Sequence, residues 1–283
     1  MIAALVIVAV GALVAGSAGL VGSFLVLRRM TMLGDAISHA VLPGIALGFL
    51  LTGSRAAPVM LLAAGLFGLL TAYLVQALQR AGVQEDAGMG VTFTAFFSLG
   101  VVLISAFAGR VHLDLDHVLY GEIAFAPWDL WVVGGRSLGP RALWTMGAVF
   151  LTDLAAVLLF FKELKICAFD PETASVQGVN VTAFHYLLMS LVSLTTVGAF
   201  DAVGAILAVA MLVLPGATAY LLTDRLETML ALSVGIGAVT SALGYLLARA
   251  TDTPVAGAMA VAGGALFALA FGWSGRKRLV RAR

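Results

Sequence analysis

The stretch RRMTMLGDAISHAVLPGIALGF, Arg28 to Phe49, opens with two basic residues and then stays apolar for about the length of a membrane crossing, broken by Asp35 and His39. Ionisable groups at membrane depth are expensive, and they normally face a bundle interior or a water-filled path. On a helix a spacing of four puts Asp35 and His39 on one face, with Ser38 beside them, so an oxygen and a nitrogen converge on one point. That pairing suits a borderline-hard divalent cation such as Mn²⁺, Fe²⁺ or Zn²⁺. The structural alternative is an Asp capping the start of a span, with His39 a satisfied interior residue.

The rest of the chain has the same apolar character. Of its 283 residues 61% are hydrophobic and 11% charged, and its mean hydropathy is +1.07. Soluble domains carry about 25% charged residues, so the expected fold class is all-α, a polytopic transmembrane helical bundle. A crossing takes roughly 20 apolar residues. Suitable runs lie at 2–27, 33–52, 57–78, 88–108, 143–161, 184–199, 202–222, 229–248 and 255–273. The sixth and seventh are short and interrupted by Gly198 and Asp201, so they are candidates for partly re-entrant segments. The expectation is therefore eight or nine spans in one transmembrane domain over 1–275, with a basic tail at 276–283. No basic residue precedes the first run, which makes it a span rather than a secretory signal.

Basic residues concentrate in cytoplasmic loops. With the N-terminus outside, eleven of the sixteen Lys and Arg fall on the cytoplasmic side, among them Arg28, Arg29, Arg80, Lys162, Lys165, Arg225 and the tail. Two segments on that side offer docking surfaces for a soluble partner. In KELKICAFDPETASVQGVNVT, Lys162 to Thr182, Asp170-Pro171-Glu172 resembles a helix start and Gly178 a stop. In LPGATAYLLTDRLET, Leu214 to Thr228, a Pro-Gly break precedes a short polar turn. The external loop 109–140 contains VHLDLDHVLYGE, where His112, Asp114, Asp116 and His117 suggest metal capture, docking of a delivery protein, or no more than a solvated loop. Asp201 either lines the pathway or sits in a short external turn.

Several functions are excluded. The chain has no G-x-x-x-x-G-K-[ST] loop and no Gly-Lys dipeptide, and therefore no visible means of hydrolysing ATP. H-E-x-x-H does not occur. Cys167 is the sole cysteine, and a net charge of +1 without charge blocks gives no case for nucleic-acid binding.

The stretches LRRMTMLGDAISHAVLPGIALGF, HLDLDHVLYGEI, KELKICAFDPETASVQGVNV and DAVGAILAVAMLVLPGATAYLLTDRLETML together resemble the membrane subunits of bacterial ATP-binding-cassette importers for manganese, zinc and iron, the ABC-3 family. The resemblance implies a type II, vitamin B12-importer-like permease in the bacterial inner membrane, not itself an enzyme. It implies two copies of a cytoplasmic ATPase, an extracytoplasmic metal-binding protein, and a second permease copy, identical or homologous. It assigns Asp35 and His39 to coordination of a transported metal, with no permanently bound cofactor. It points to Pro215, Gly216, Thr223, Asp224 and Arg225 as a short helix pair that couples to the ATPase, and to Asp170 and Glu172 as a second coupling segment. The wording of DAVGAIL and AYLLTDRL is closer to the manganese and iron branch. The competing readings are a permease for a metal chelate or siderophore, and a secondary transporter driven by an ion gradient.

Overall fold

The computed structural model describes residues 2–53, 57–107, 123–133 and 136–281. Eleven α-helices are found among them: α1 (Ile2–Leu27), α2 (Thr31–Thr52), α3 (Ala57–Arg80), α4 (Glu85–Phe107), α5 (Arg141–Leu159), α6 (Phe161–Phe169), α7 (Pro171–Val176), α8 (Val181–Val203), α9 (Ala205–Leu222), α10 (Leu226–Thr251) and α11 (Val255–Arg281). Nine of these, all but α6 and α7, are long and apolar enough to cross a membrane. Hydrocarbon offers no water to backbone amides and carbonyls, so each crossing closes its own hydrogen bonds as a helix.

α1 is the axis of the larger group of helices. It has no charged residue, and every position from Val14 to Leu25 is buried. A helix apolar all round belongs inside a bundle, and α1 packs against α5, α8, α9 and α10, with α11 closing over α9 and α10. The smaller group is α2 with α3 and α4. α8 touches both, meeting α1 and α5 on one side and α2 and α3 on the other.

Where apolar surface is plentiful on every side, close backbone approach holds helices together. At Gly22 on α1 a Cβ would run into the Leu212 carbonyl oxygen of α9, so only glycine permits that crossing. Buried hydroxyls are absorbed locally. Ser23 donates to the Gly19 carbonyl at 2.6 Å, Thr92 to Gly88 at 2.8 Å and Ser241 to Gly237 at 3.0 Å, each one turn back.

The sixth and seventh crossings differ from the expectation of partial re-entry. α8 runs unbroken through Gly198 and Asp201 for 23 residues, and the chain turns only at Gly204, whose φ of 83° suits glycine. α9 is likewise continuous over 18 residues through Pro215 and Gly216. The missing Pro215 amide costs the helix one hydrogen bond, and packing carries it through: Pro215 and Gly216 are buried, Gly216 directly against Ser23 of α1.

Between α4 and α5 a two-stranded antiparallel hairpin, β1 (Leu130–Val133) and β2 (Arg136–Pro140), sets Leu130 opposite Pro140. Trp144 at the head of α5 donates its indole N–H to the Leu138 carbonyl at 2.9 Å and meets the Trp131 ring at 6.5 Å. Half-wet indoles of this kind sit at membrane interfaces. The tight α1–α9 crossing gives a direct test: Gly22→Val destabilises the protein by about 1–3 kcal/mol through overpacking, seen as a lowered thermal midpoint in detergent.

Candidate functional site

α2 begins at Thr31, after the uncapped Met30, and Asp35 stands one full turn inside it. Asp35 is therefore not the cap of α2. At 1.5 Å per residue, Asp35 and His39 lie about 6 and 12 Å in from the Thr31 end. His39 Nε2 is 3.6 Å from Asp35 Oδ1, and the two side chains are 29% and 41% exposed. That distance is too long for a good hydrogen bond. Both groups thus keep electron pairs for something else.

α4 holds the imidazole in place. The Phe93 ring centroid is 4.5 Å from that of His39, and Phe97 meets the imidazole edge-on at 5.5 Å. One turn further on, Gly100 lets α4 close onto Pro43, where a Cβ would come within 2.9 Å of the proline ring. Phe93, Phe97 and Gly100 form one helical stripe along α2. Pro43 has no N–H, so the His39 carbonyl lacks its usual helical donor.

Ser38 does not join the pair. It is buried, and its hydroxyl donates to the Gly34 carbonyl at 2.9 Å. Asp201 lies at the far end of the bundle, in the last turn of α8 rather than in a turn between spans, with Oδ2 3.9 Å from Arg141 Nη2. It borders a cavity of 420 Å³ among α3, α5 and α8 whose walls are almost wholly apolar. Among the described residues no three His, Cys, Asp or Glu assemble into a metal cluster. Asp35 and His39 are thus two donors, where a bound divalent ion takes four or more. His112, Asp114, Asp116 and His117 lie outside the described residues.

The short connections gather at the end of the bundle where α2 begins. There α6 and α7 form a short pair of helices. Asp170 caps α7, its Oδ1 accepting from the Thr173 amide at 2.9 Å and its Oδ2 from the Thr173 hydroxyl at 2.5 Å, and Pro171 follows at the first helical position. Gly178, at φ 81°, ends the turn after it. Glu172 is exposed. Cys167 of α6 is buried, which pushes its thiol up and keeps it protonated. The short helix pair expected at 215–225 is not found there; 215–222 completes α9, and Thr223, Asp224 and Arg225 form the link to α10. Within that link the Arg225 amide donates to Thr223 Oγ1 at 3.3 Å. The two segments do meet, because Lys165 of α6 donates to Glu227 of α10 at 2.8 Å. Sequence reasoning passed over Asp153, a lone acid in the fifth apolar run, which the structure buries completely.

Nine crossings among the described residues, one of them a buried axial helix and another bearing a polar pair, with a set of short connections at one end, define a membrane permease. The chain belongs to the ABC 3 transport family, whose model matches residues 1–273. It is 49% identical over 265 residues to the manganese transport system membrane protein MntD of Bacillus subtilis (strain 168), covering 94% of this chain and 90% of that one. It is 44% identical over 276 residues to the zinc transport system membrane protein TroD of Treponema pallidum (strain Nichols), covering 97% and 75%. Among solved structures, PsaBC from Streptococcus pneumoniae in complex with Fab superposes with a TM-score of 0.78 at 34% identity, over 94% of this chain and 90% of that one. An inward-facing putative metal-chelate type ABC transporter shares the fold at 17% identity and a TM-score of 0.66, over 94% and 85%. The implied permease fold is thus the one found, and ATP hydrolysis belongs to a separate subunit.

The α7 cap titrates. The Thr173 hydroxyl and then its amide hold the Asp170 carboxyl below the usual aspartate range. A depressed folded value means that the cap's contribution is present above the unfolded pKa and is lost as pH falls through the folded one. Hydrogen exchange at the Thr173 amide accordingly accelerates only at pH below the ordinary aspartate range, whereas Asp170→Ala exchanges fast at neutral pH with no such step.

Proposed function

We propose that this chain is the channel-forming subunit of an ATP-driven importer of divalent transition-metal ions, with Mn²⁺ its principal cargo and Zn²⁺ and Fe²⁺ also accepted. The observation that carries the reading is the half-open Asp35–His39 pair, an oxygen and a nitrogen donor 3.6 Å apart inside an apolar span, without a good hydrogen-bond partner among the described residues. Kinship with permeases named for manganese and zinc transport supports the cargo. Two donors per chain are half a coordination shell, so a second permease copy facing the first across the pathway completes it. A weak, incomplete site also favours release, which transport requires.

The end bearing Arg28, Arg29, Lys162, Lys165 and Arg225 is then cytoplasmic, as is the C-terminus, in agreement with the excess of basic residues there. Two ATPase copies engage the exposed surface formed by α6, α7 and the Thr223–Arg225 link, with Asp170 shaping the α7 start and Glu172, Asp224 and Arg225 presented outward. Pro215 and Gly216 act from behind, by fixing α9 on α1. On the other side an extracytoplasmic binding protein delivers the ion, and the 109–140 connection, with His112, Asp114, Asp116 and His117, is the surface for it.

In the reconstituted complex Asp35→Ala and His39→Ala each lower metal uptake by at least about tenfold, since even supporting partners of a metal ligand are worth that much, while ATPase activity is retained. Uptake at the parental rate in both variants removes the site. A chelate permease would tolerate both changes, and a secondary transporter would work without the ATPase. Coupling is read separately: Lys165→Glu lowers transport-linked ATPase, and adding Glu227→Lys restores it.

A further inference from the structure

Buried hydroxyls in the spans follow one rule, donating to a backbone carbonyl, usually one turn back; Ser193 does so across helices, to the Gly65 carbonyl. Three depart from it. Thr195 of α8 donates instead to Asp153 Oδ2 of α5 at 2.6 Å. Ser17 Oγ of α1 and Thr196 Oγ1 of α8 have no hydrogen-bond partner among the described residues, and neither does Asp153 Oδ1. Ser17 stands beside the same carboxyl. Asp153, Ser17 and Thr195 are each 0% exposed, at the meeting of three helices that pack on one another.

Among the described residues nothing nearby balances a negative charge at this point. α1 has no charged residue. On α5, Arg141 is twelve residues from Asp153, about 18 Å along the helix, and it pairs with Asp201. On α8, His185 and Asp201 lie about 15 and 9 Å along the axis from Thr195. On α6, Lys165 is paired with Glu227 at the surface, and Lys162 and Glu163 share that end of the bundle. Among the described residues no ion pair reaches Asp153. An isolated carboxylate in such a place is far costlier than a neutral acid.

We infer that Asp153 is a proton-binding site, separate from Asp35 and His39. It is a carboxylic acid whose Oδ2 accepts from Thr195 and whose Oδ1–H turns toward Ser17 Oγ, the two oxygens closing to hydrogen-bond distance when the proton is bound. A neutral carboxyl offers one donor and keeps acceptor capacity, so the proton removes the uncompensated charge and supplies the donor for that bond. The bonded acid then fastens α1, α5 and α8 together and keeps its proton throughout transport.

The test is infrared difference spectroscopy of the full-length protein in nanodiscs at neutral pH, comparing the parent with Asp153→Asn and with Asp35→Asn as control. The carbonyl stretch of a protonated carboxylic acid is expected in the parent and in the Asp35 variant, and is lost in Asp153→Asn. Ser17→Ala shifts that band by removing its hydrogen-bond acceptor. Asp153→Asn mimics the neutral acid, so its thermal midpoint stays within about 2 °C of the parent and its uptake stays near the parental rate, whereas Asp153→Ala melts several degrees lower. A carboxylate band in place of the acid band overturns the inference. So does a midpoint that rises with Na⁺ or K⁺ in the parent and not in Asp153→Asn, which would make this a metal-cation site. Loss of uptake in a well-folded Asp153→Asn overturns the permanent retention of the proton.

Discussion

The absence of water around the spans governs this molecule more than any pairwise contact. Each crossing must satisfy its own backbone, and with lipid as apolar as the side chains, helices associate where their backbones can draw close. The Gly22 approach to the Leu212 carbonyl is the sharpest case. It seats α9 on α1, and once α9 is seated, α10 and α11 have a surface to cover. α8 then ties this group to α2, α3 and α4, and so fixes where Asp35 and His39 stand relative to the axial helix.

Three acids within crossings illustrate how position decides chemistry. Asp35 is part open and faces an imidazole held edge-on and tilted against two phenylalanines, an arrangement that leaves donors available. Asp201 is at a rim, close enough to Arg141 to be compensated by a charge. Asp153 is enclosed by hydroxyls with no cation among the described residues, and there neutrality is the cheaper solution. The same residue type thus stands as a half-open donor, a rim charge and an enclosed acid, according to what its neighbours supply.

The nine crossings were legible because run length alone reports the thickness to be crossed. The Asp35–His39 face was legible because four residues make about one turn. Punctuation was less reliable. Gly198 with Asp201, and Pro215 with Gly216, look like breaks in one dimension, yet α8 turns only where Gly204 takes positive φ, and α9 continues because Gly216 is held against Ser23. The aromatic clamp on His39 could not be read in advance. Phe93 and Phe97 are more than fifty residues away and look like any lipid-facing phenylalanine until α4 is laid along α2. Asp153 did carry a signal, a lone acid in an apolar run. What no spacing revealed was that its partners Ser17 and Thr195 come from two other helices.

The α8–α9 link has one more consequence. A single residue, Gly204, joins two crossings, so that corner of the molecule presents almost no relief beyond the membrane surface. The α10–α11 connection, Asp252 to Pro254, is nearly as flush. At these two corners the surface is made of helix ends rather than loop side chains, so it changes shape only as the crossings themselves move.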